Sequence, residues 1–288
     1  MVNRPKWARG SNQYVRRLGL GQHSPQRAGN LELEEPAFDS SKDRRSQVEA
    51  TGVSWSDFSV ERIERSTPDR SRYRFQAHLP DLIWNAAALE GNNFTLPEVK
   101  TLLEGVTVGG KRLEDEEQIL ALSAAYNRLD EMVANGTFSL SKQVSDELNG
   151  LVAVHEALES GHFRGEGQAR GGGTVSLANG GSVSGTEHGE GGALLRRHFD
   201  DLVDYLESEG DPRRRALVYF ASAVRRQFYF DGNKRTARLM MTGELMSSEY
   251  DIISVPYNRR LEYNIALDAL FESDDATMLL TFLGTCTL

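Results

Sequence analysis

From about residue 80 onward, apolar residues recur every three or four positions, which is the spacing of helices that bury one face. Glycines such as Gly91, Gly105 and Gly136 follow several of these stretches, where a helix C-terminus favours glycine. We predict helices at about residues 81–91, 96–103, 119–133, 141–159, 193–206, 212–226, 233–246, 259–271 and 275–283. The predicted fold class is therefore mainly α.

Residues 161–192 break this pattern with a run of glycines that resists helix formation. Two short β-prone segments, Thr174–Leu177 and Ser182–Ser184, flank Asn179-Gly180-Gly181, which favours a small hairpin. A flexible surface loop is the alternative interpretation. Because the segment lies between helices and precedes the strongest motif, we predict a mobile flap.

Residues 1–60 are polar and show no sustained apolar period, so we predict a loosely ordered extension that can serve as a partner-binding arm. Residues 61–288 would form the helical domain. Residues 1–10 lack the apolar stretch of a secretory signal, and no segment reaches the roughly 18 apolar residues that span a bilayer. We therefore expect neither secretion nor membrane insertion.

The net charge of −9 and the pI near 5.3 argue against a nucleic-acid binder, which needs a basic surface. The single cysteine, Cys286, excludes an intramolecular disulfide and a cysteine-rich zinc site, and fits a reducing cytoplasm. Against this acidic background, residues 213–238 hold eight Lys or Arg and only one acid, Asp231. A solvated helix face accounts for residues 213–215, but it accounts less well for the rest.

Asp231-Gly-Asn-Lys-Arg-Thr-Ala-Arg238 places a tight turn directly before an apolar helix, which presents backbone N–H groups and a positive dipole end to an anion. Arg235 and Arg238 lie one helical turn apart, and their planar donors suit phosphate oxygens. Asp231 would be the Mg²⁺ ligand beside such phosphates. The alternative is a capped turn with arginines in surface ion pairs.

The segment from Gln227-Phe-Tyr-Phe through Asp231 to Arg238 resembles the signature of the Fic family, and the likeness extends over roughly residues 75–285. This resemblance implies a helical bundle that binds Mg²⁺ and ATP and transfers AMP to a hydroxyl of a target protein, although some relatives transfer another phosphate-linked group. Homodimers are common in the family. By position, the resemblance gives Asp231 to Mg²⁺, Gly232, Asn233, Lys234, Arg235 and Arg238 to the phosphates, and Tyr263 and Asn264 to the base side of the nucleotide.

Ala86-Ala-Ala-Leu-Glu90-Gly91-Asn92 resembles the family's inhibitory helix, with Ala86 where the family has a hydroxyl residue. The resemblance implies that Glu90 pairs with Arg238 and so misplaces the γ-phosphate, because a carboxylate and a phosphate compete for one guanidinium. The alternative for Glu90 is a solvated residue at a helix end.

Gln227 stands where the family has its catalytic histidine, and glutamine has no titratable group to accept a proton. Three explanations remain open: a binding-only module, an enzyme that uses another base such as Glu90, or chemistry that needs no base. We predict a Mg-ATP-binding domain of the Fic type restrained by Glu90; a nucleotide-sensing or protein-interaction module is the alternative.

Overall fold

The computed structural model describes the chain from residue 40 to residue 288, with side chains from Arg44 onward. This part contains eleven α-helices and one two-stranded antiparallel sheet. The helices are α1 (Ser40–Thr51), α2 (Pro68–Ala77), α3 (Leu79–Leu89), α4 (Leu96–Leu103), α5 (Leu113–Ala134), α6 (Lys142–Val152), α7 (Ala193–Glu207), α8 (Pro212–Arg226), α9 (Asn233–Ser247), α10 (Arg260–Ser273) and α11 (Thr277–Leu283). The prediction of a mainly α fold is confirmed.

Helices α8 and α9 form the centre of the domain. Their side chains are buried on almost every face, from Ala216 to Val224 in α8 and from Arg235 to Met246 in α9. Neighbouring helices pack around this pair, so polar side chains of α9 such as Arg235, Arg238 and Glu244 are also buried. The loop that joins them, residues 227–232, is thereby fixed at both ends.

The segment between residues 161 and 192 forms the predicted hairpin. Strand β1 (Thr174–Ser176) pairs with β2 (Ser182–Ser184), with Val175 opposite Val183. At its tip the backbone N–H groups of Ala178 and Asn179 donate to the carboxylate of Asp268 in α10, at 3.0 and 3.2 Å. These contacts hold the hairpin, called the flap below, against α10.

The predicted extension of residues 1–60 is wrong for residues 40–60; residues 1–39 lie outside the described part. Residues 40–51 form α1, and the apolar side chains that follow, Val53, Trp55, Phe58 and Val60, are buried. Arg213 and Arg214 of α8 donate to backbone oxygens of this segment, at Val60, Ile63 and Phe58. These arginines therefore fasten residues 53–63 to the core and are not a solvated face.

The helix predicted at residues 141–159 ends at Val152, seven residues early. The Ala153 N–H still donates to the Asn149 carbonyl, but residues 153–156 form turns and Leu158 is 79% exposed. The apolar residue that extended the predicted helix thus has no place in the core. The turn carries Glu156 toward the loop between α8 and α9.

No helix in residues 40–288 is both long and apolar enough to cross a membrane.

Candidate functional site

The loop between α8 and α9 begins at a residue with an unusual backbone. Gln227 ends α8 in the left-handed region, with φ 53° and ψ 61°, where non-glycine residues are uncommon. Its side chain is tied on both sides: Nε2 donates to the Val224 carbonyl at 2.6 Å, and Oε1 accepts from Asn233 Nδ2 at 3.1 Å. Gln227 is therefore buried and fixed, although part of it faces the cavity described next.

A cavity of about 270 Å³ lies over the start of α9 and beneath the flap. Gly232 precedes the helix with φ 74°, and a side chain there would press on Asn149, Val152 and Ala153. The walls bring together most of the predicted site: Glu90, Gln227, Asp231, Gly232, Asn233, Lys234 and Arg235, with Phe230 and residues 174–176 of the flap. A helix N-terminus flanked by Lys234 and Arg235 is suited to an anion.

A second cavity, of about 190 Å³, continues on the other side of Lys234. Its lining is mixed: the polar residues Ser176, Lys234, Asn264 and Asp268 lie beside the apolar residues Leu89, Val175, Leu177, Ala178, Leu267 and Phe271. Asn264 therefore lines this second cavity, and its predicted place on the base side of a nucleotide stays a prediction. Tyr263 differs, because it is buried and its hydroxyl accepts from Arg238 Nη2 at 3.2 Å. Tyr263 therefore serves as a hydrogen-bond partner of Arg238.

Glu90 lies at the C-terminus of α3 and forms two ion pairs with α9. Its Oε2 is 2.8 Å from Lys234 Nζ, and its Oε1 is 3.2 Å from Arg238 Nη2. Burial raises the pKa of the Glu90 carboxyl, but the positive charges of Lys234, Arg238 and Arg235 outweigh burial and bring the pKa to about 2. The predicted contact with Arg238 is present, and the contact with Lys234 was not predicted.

The guanidinium of Arg238 is only partly hydrogen-bonded. Its guanidinium is buried, and within residues 44–288 its Nε and Nη1 have no hydrogen-bond partner. Buried donors of this kind cost free energy unless a partner is supplied. Arg235 is the opposite case, because its terminal nitrogens contact Glu156 and Asp231.

Arg164 joins the flap to the loop and was not among the predicted site residues. Its guanidinium is 5% exposed and donates to four carbonyls: Nε to Gln227 at 2.6 Å, Nη2 to Thr186 at 2.6 Å and Arg226 at 3.3 Å, and Nη1 to Gly172 at 3.4 Å. Burial lowers the pKa of the Arg164 guanidinium, and among these contacts no carboxylate offsets that effect.

Two flap glycines make this approach feasible. A Cβ on Gly173 would collide with the Arg164 guanidinium, and one on Gly185 would lie 2.7 Å from Gln227 Cβ. The glycine run that argued against helix formation therefore lets the flap backbone lie directly on the loop. Four hydrogen bonds to carbonyls could not be inferred from the sequence.

The described part of the chain is a helical domain in which a hairpin flap covers a helix N-terminus flanked by Lys234 and Arg235. No family model matches the chain. Among curated proteins, the protein adenylyltransferase Fic of Drosophila willistoni is 28% identical over 207 residues, which is 71% of this chain and 39% of that protein. The Aedes aegypti protein of the same name is 26% identical over 208 residues, with the same shares of 71% and 39%.

Solved structures show the same fold. A Fic-domain-containing signaling protein from Bacteroides thetaiotaomicron superimposes with a TM-score of 0.62 at 22% identity, covering 85% of this chain and 91% of that one. Fic-1 from C. elegans gives a TM-score of 0.60 at 21% identity, covering 85% and 68%. The chain is thus similar in sequence to Fic protein adenylyltransferases and shares the fold of solved Fic-domain structures. The chain spans about two fifths of the length of these curated relatives.

Proposed function

We propose that this chain binds Mg-ATP at the start of α9 and is a protein AMP transferase of the Fic type, held in a restrained state by Glu90. The observation that carries this proposal is the position of the Glu90 carboxylate, which occupies Lys234 and Arg238 over the anion-binding end of α9. A phosphate oxygen would use the same donors. Arg238 retains two buried donors that such a ligand would satisfy.

The two cavities suit the two halves of a nucleotide. The cavity over α9 offers the Gly232 turn, Lys234 and Arg235 to phosphates, and the second cavity offers apolar side chains and the amide of Asn264 to a base. Lys234 lies in the walls of both cavities, so it stands between the halves of the ligand. This arrangement supports a nucleoside polyphosphate rather than a free phosphate.

Asp231 fits the role of Mg²⁺ ligand. Its side chain is 52% exposed at the cavity wall, and its Oδ1 accepts from the Gly232 N–H at 2.5 Å, which orients the carboxylate. Within the described residues no cluster of three or more acidic, His or Cys side chains forms a complete metal cage. One carboxylate is what Mg²⁺ takes when phosphates and water supply the remaining ligands. The ion would neutralise phosphate charge during transfer.

In the proposed reaction a hydroxyl oxygen of a protein target bonds to the α-phosphorus of ATP, the bond from that phosphorus to the bridging oxygen of the β-phosphate breaks, and pyrophosphate leaves while the hydroxyl proton passes to solvent. The names of the relatives give protein adenylylation for those proteins. We propose that turnover is slow. The amide of Gln227 cannot take the hydroxyl proton, and loss of a general base costs about 10²–10⁴-fold in rate. A carboxyl with a pKa of about 2, as in Glu90, is a weak replacement base.

A second candidate is a nucleotide-sensing module that binds ATP without transfer. The hydrogen bonds that tie the Gln227 amide to Val224 and Asn233 favour it, because they make residue 227 part of the loop's framework. The flap, together with a protein partner, would then respond to whether ATP occupies the site.

We also propose that the protein works in a reducing compartment such as the cytoplasm. Cys286 is the only cysteine of the chain, so the chain has no intramolecular disulfide, as is usual for proteins of a reducing compartment.

The test is calorimetric titration of Mg-ATP into the wild-type chain, Glu90→Gly and Arg235→Ala, followed by transfer of radiolabel from ATP on the same samples. Glu104→Gln, an exposed acid at the end of α4, is the matched control for charge. We expect Glu90→Gly to tighten binding by about tenfold, since it frees donors that make charge-assisted hydrogen bonds. Arg235→Ala should weaken it.

Label transfer that Asp231→Ala abolishes would establish the transferase and exclude the sensing module. Binding without transfer would favour the sensing module. If none of the samples binds Mg-ATP, the site assignment is wrong.

A further inference from the structure

Both carboxylate oxygens of Glu156 accept hydrogen bonds from the Arg235 guanidinium. Arg235 Nη1 donates to Glu156 Oε1 at 2.8 Å, and Nη2 donates to the other oxygen, so the pair is bidentate. Nη2 also lies 3.1 Å from Asp231 Oδ1, and the Arg235 side chain is only 4% exposed. The two nitrogens that form the fork for a phosphate group are thus engaged by carboxylates of the chain itself.

The fold places Glu156 there. It lies in the turn after α6, where its N–H donates to the Ala153 carbonyl at 3.1 Å. Asn149, near the end of α6, donates to the Asp231 carbonyl at 3.0 Å and to Thr236 Oγ1 at 3.1 Å. The end of α6 is therefore fastened to the loop and to α9 by hydrogen bonds that do not involve Glu156. The ion pair is a consequence of this packing and not a chance meeting of two exposed side chains.

A chain of hydrogen bonds connects Glu156 with the turn that carries Glu90. Asn92, two residues after Glu90, donates from Nδ2 to Gln118 Oε1 at 2.9 Å. Gln118 in turn donates from Nε2 to Glu156 Oε1 at 2.7 Å. The backbone N–H of Asn92 donates to Ala87 in α3 at 3.1 Å, so Asn92 moves with the end of that helix. A displacement of Glu90 would be transmitted to Glu156 through Gln118.

The charges around the cavity balance. Lys234, Arg235 and Arg238 face Glu90, Asp231 and Glu156, so a polyphosphate meets cations already neutralised by the chain. Glu90 engages Lys234 and Arg238 but leaves Arg235 to Glu156. Removing Glu90 alone would release only part of the site.

We propose that Glu156 is a second internal restraint on this site, which holds Arg235 as Glu90 holds Lys234 and Arg238, and that Asn92 and Gln118 couple the two. This inference rests on the proposed function, because it concerns the same nucleotide site. According to this inference, Glu90 and Glu156 leave their basic partners together when a nucleotide binds.

The experiment compares Mg-ATP binding by the full chain as wild type, Glu156→Gln, Glu90→Gly and the double variant, with AMP as a second ligand. We expect Glu156→Gln to raise affinity for Mg-ATP by about tenfold, the double variant to exceed both single variants, and AMP, which lacks the β and γ groups, to show no gain. Glu104→Gln again controls for the lost negative charge.

Gln118→Ala is the second variant, and it leaves both charges of the Glu156–Arg235 pair in place. It should raise Mg-ATP affinity by less than Glu156→Gln does, because Glu156 then loses its hydrogen bond to α5. Thermal unfolding of each variant checks that the fold is intact, and Gln118→Ala decides the matter if Glu156→Gln does not fold.

Tighter binding by Glu90→Gly, with unchanged or weaker binding by Glu156→Gln and Gln118→Ala, would overturn this inference while leaving the proposed function in place. Weaker binding would make Glu156 a residue that orients Arg235 toward phosphate. Absence of Mg-ATP binding in all four chains would instead refute the nucleotide site.

Discussion

Replacing Arg164 by methionine should release the flap from the loop between α8 and α9. Its guanidinium makes two short hydrogen bonds, to the Gln227 and Thr186 carbonyls at 2.6 Å, and two longer ones. Hydrogen bonds from a charged donor contribute about 1.5–3 kcal/mol each, so the two short ones set a loss of roughly 3–6 kcal/mol. Burial of the guanidinium costs free energy, which is why its pKa is lowered. We therefore expect a loss at the lower end, about 3 kcal/mol.

Two assays distinguish a role of Arg164 in holding the flap from a role in packing the core. Urea unfolding gives the free energy of unfolding for the wild type and Arg164→Met. Limited trypsin digestion, read by mass spectrometry at Arg170 in the exposed start of the flap, reports local opening. We expect faster cleavage after Arg170 under conditions where the rest of the domain stays folded. Arg164→Lys, which keeps the charge, should lose about half as much.

Arg197→Met removes an arginine whose side chain is 69% exposed, and should change stability by no more than about 0.5 kcal/mol. If Arg164→Met and the wild type are equally stable and are cleaved equally fast, Arg164 does not hold the flap. A loss of stability without faster cleavage at Arg170 would show that Arg164 supports the core but does not hold the flap.

Three further predictions concern stability. The pKa of Glu90 falls from its ordinary 4.5 to about 2, so Glu90→Gln should cost about 3 kcal/mol at neutral pH. Because the folded pKa is depressed, this difference should be complete above pH 4.5 and vanish as pH falls to about 2, which urea titrations across pH would show. Gly243→Ala should cost about 1–3 kcal/mol, since its Cβ would strike the ring of Phe138, which packs against the core; an unchanged melting temperature would contradict this. Asp211→Ala should cost about 1 kcal/mol, because Asp211 Oδ1 caps α8 by accepting from the Arg213 N–H at 2.9 Å, and a Ser replacement should recover most of that loss.

Local signals in the sequence predicted much of the central fold. The apolar spacing of three or four residues predicted most helices, and in the structure the capping box of Thr95 and Glu98 and the Asp211 cap before Pro212 fix two of the helix starts. The turn at Asn179-Gly180-Gly181 predicted the hairpin. Such features need no knowledge of the rest of the chain.

Helix α2 was missed because it buries only Ser71 and Phe75 among exposed charged residues, so no apolar stripe appears. Helix α1 was missed for a related reason, since its residues are mostly polar and the apolar residues that anchor it follow the helix. Tertiary contacts decided both cases.

The candidate site divides in the same way. The residues from Asp231 to Arg238 are contiguous, so a motif could reveal them, and a resemblance added Glu90. Glu156 pairs with Arg235 across 79 residues, and Arg164 meets carbonyls that any residue type could offer. No spacing rule connects such partners, because the packing of α6 and the flap brings them together.

The left-handed backbone at Gln227 also limits what the chain can become by mutation. Residues with branched Cβ atoms are strongly disfavoured at φ 53°, whereas asparagine, aspartate and histidine are enriched there among non-glycine residues. Glutamine and histidine codons differ only at the third base. A titratable imidazole is therefore one nucleotide substitution away at this position, and the backbone already suits it. Gln227 is thus one nucleotide substitution from a side chain that can accept a proton at the start of the loop between α8 and α9.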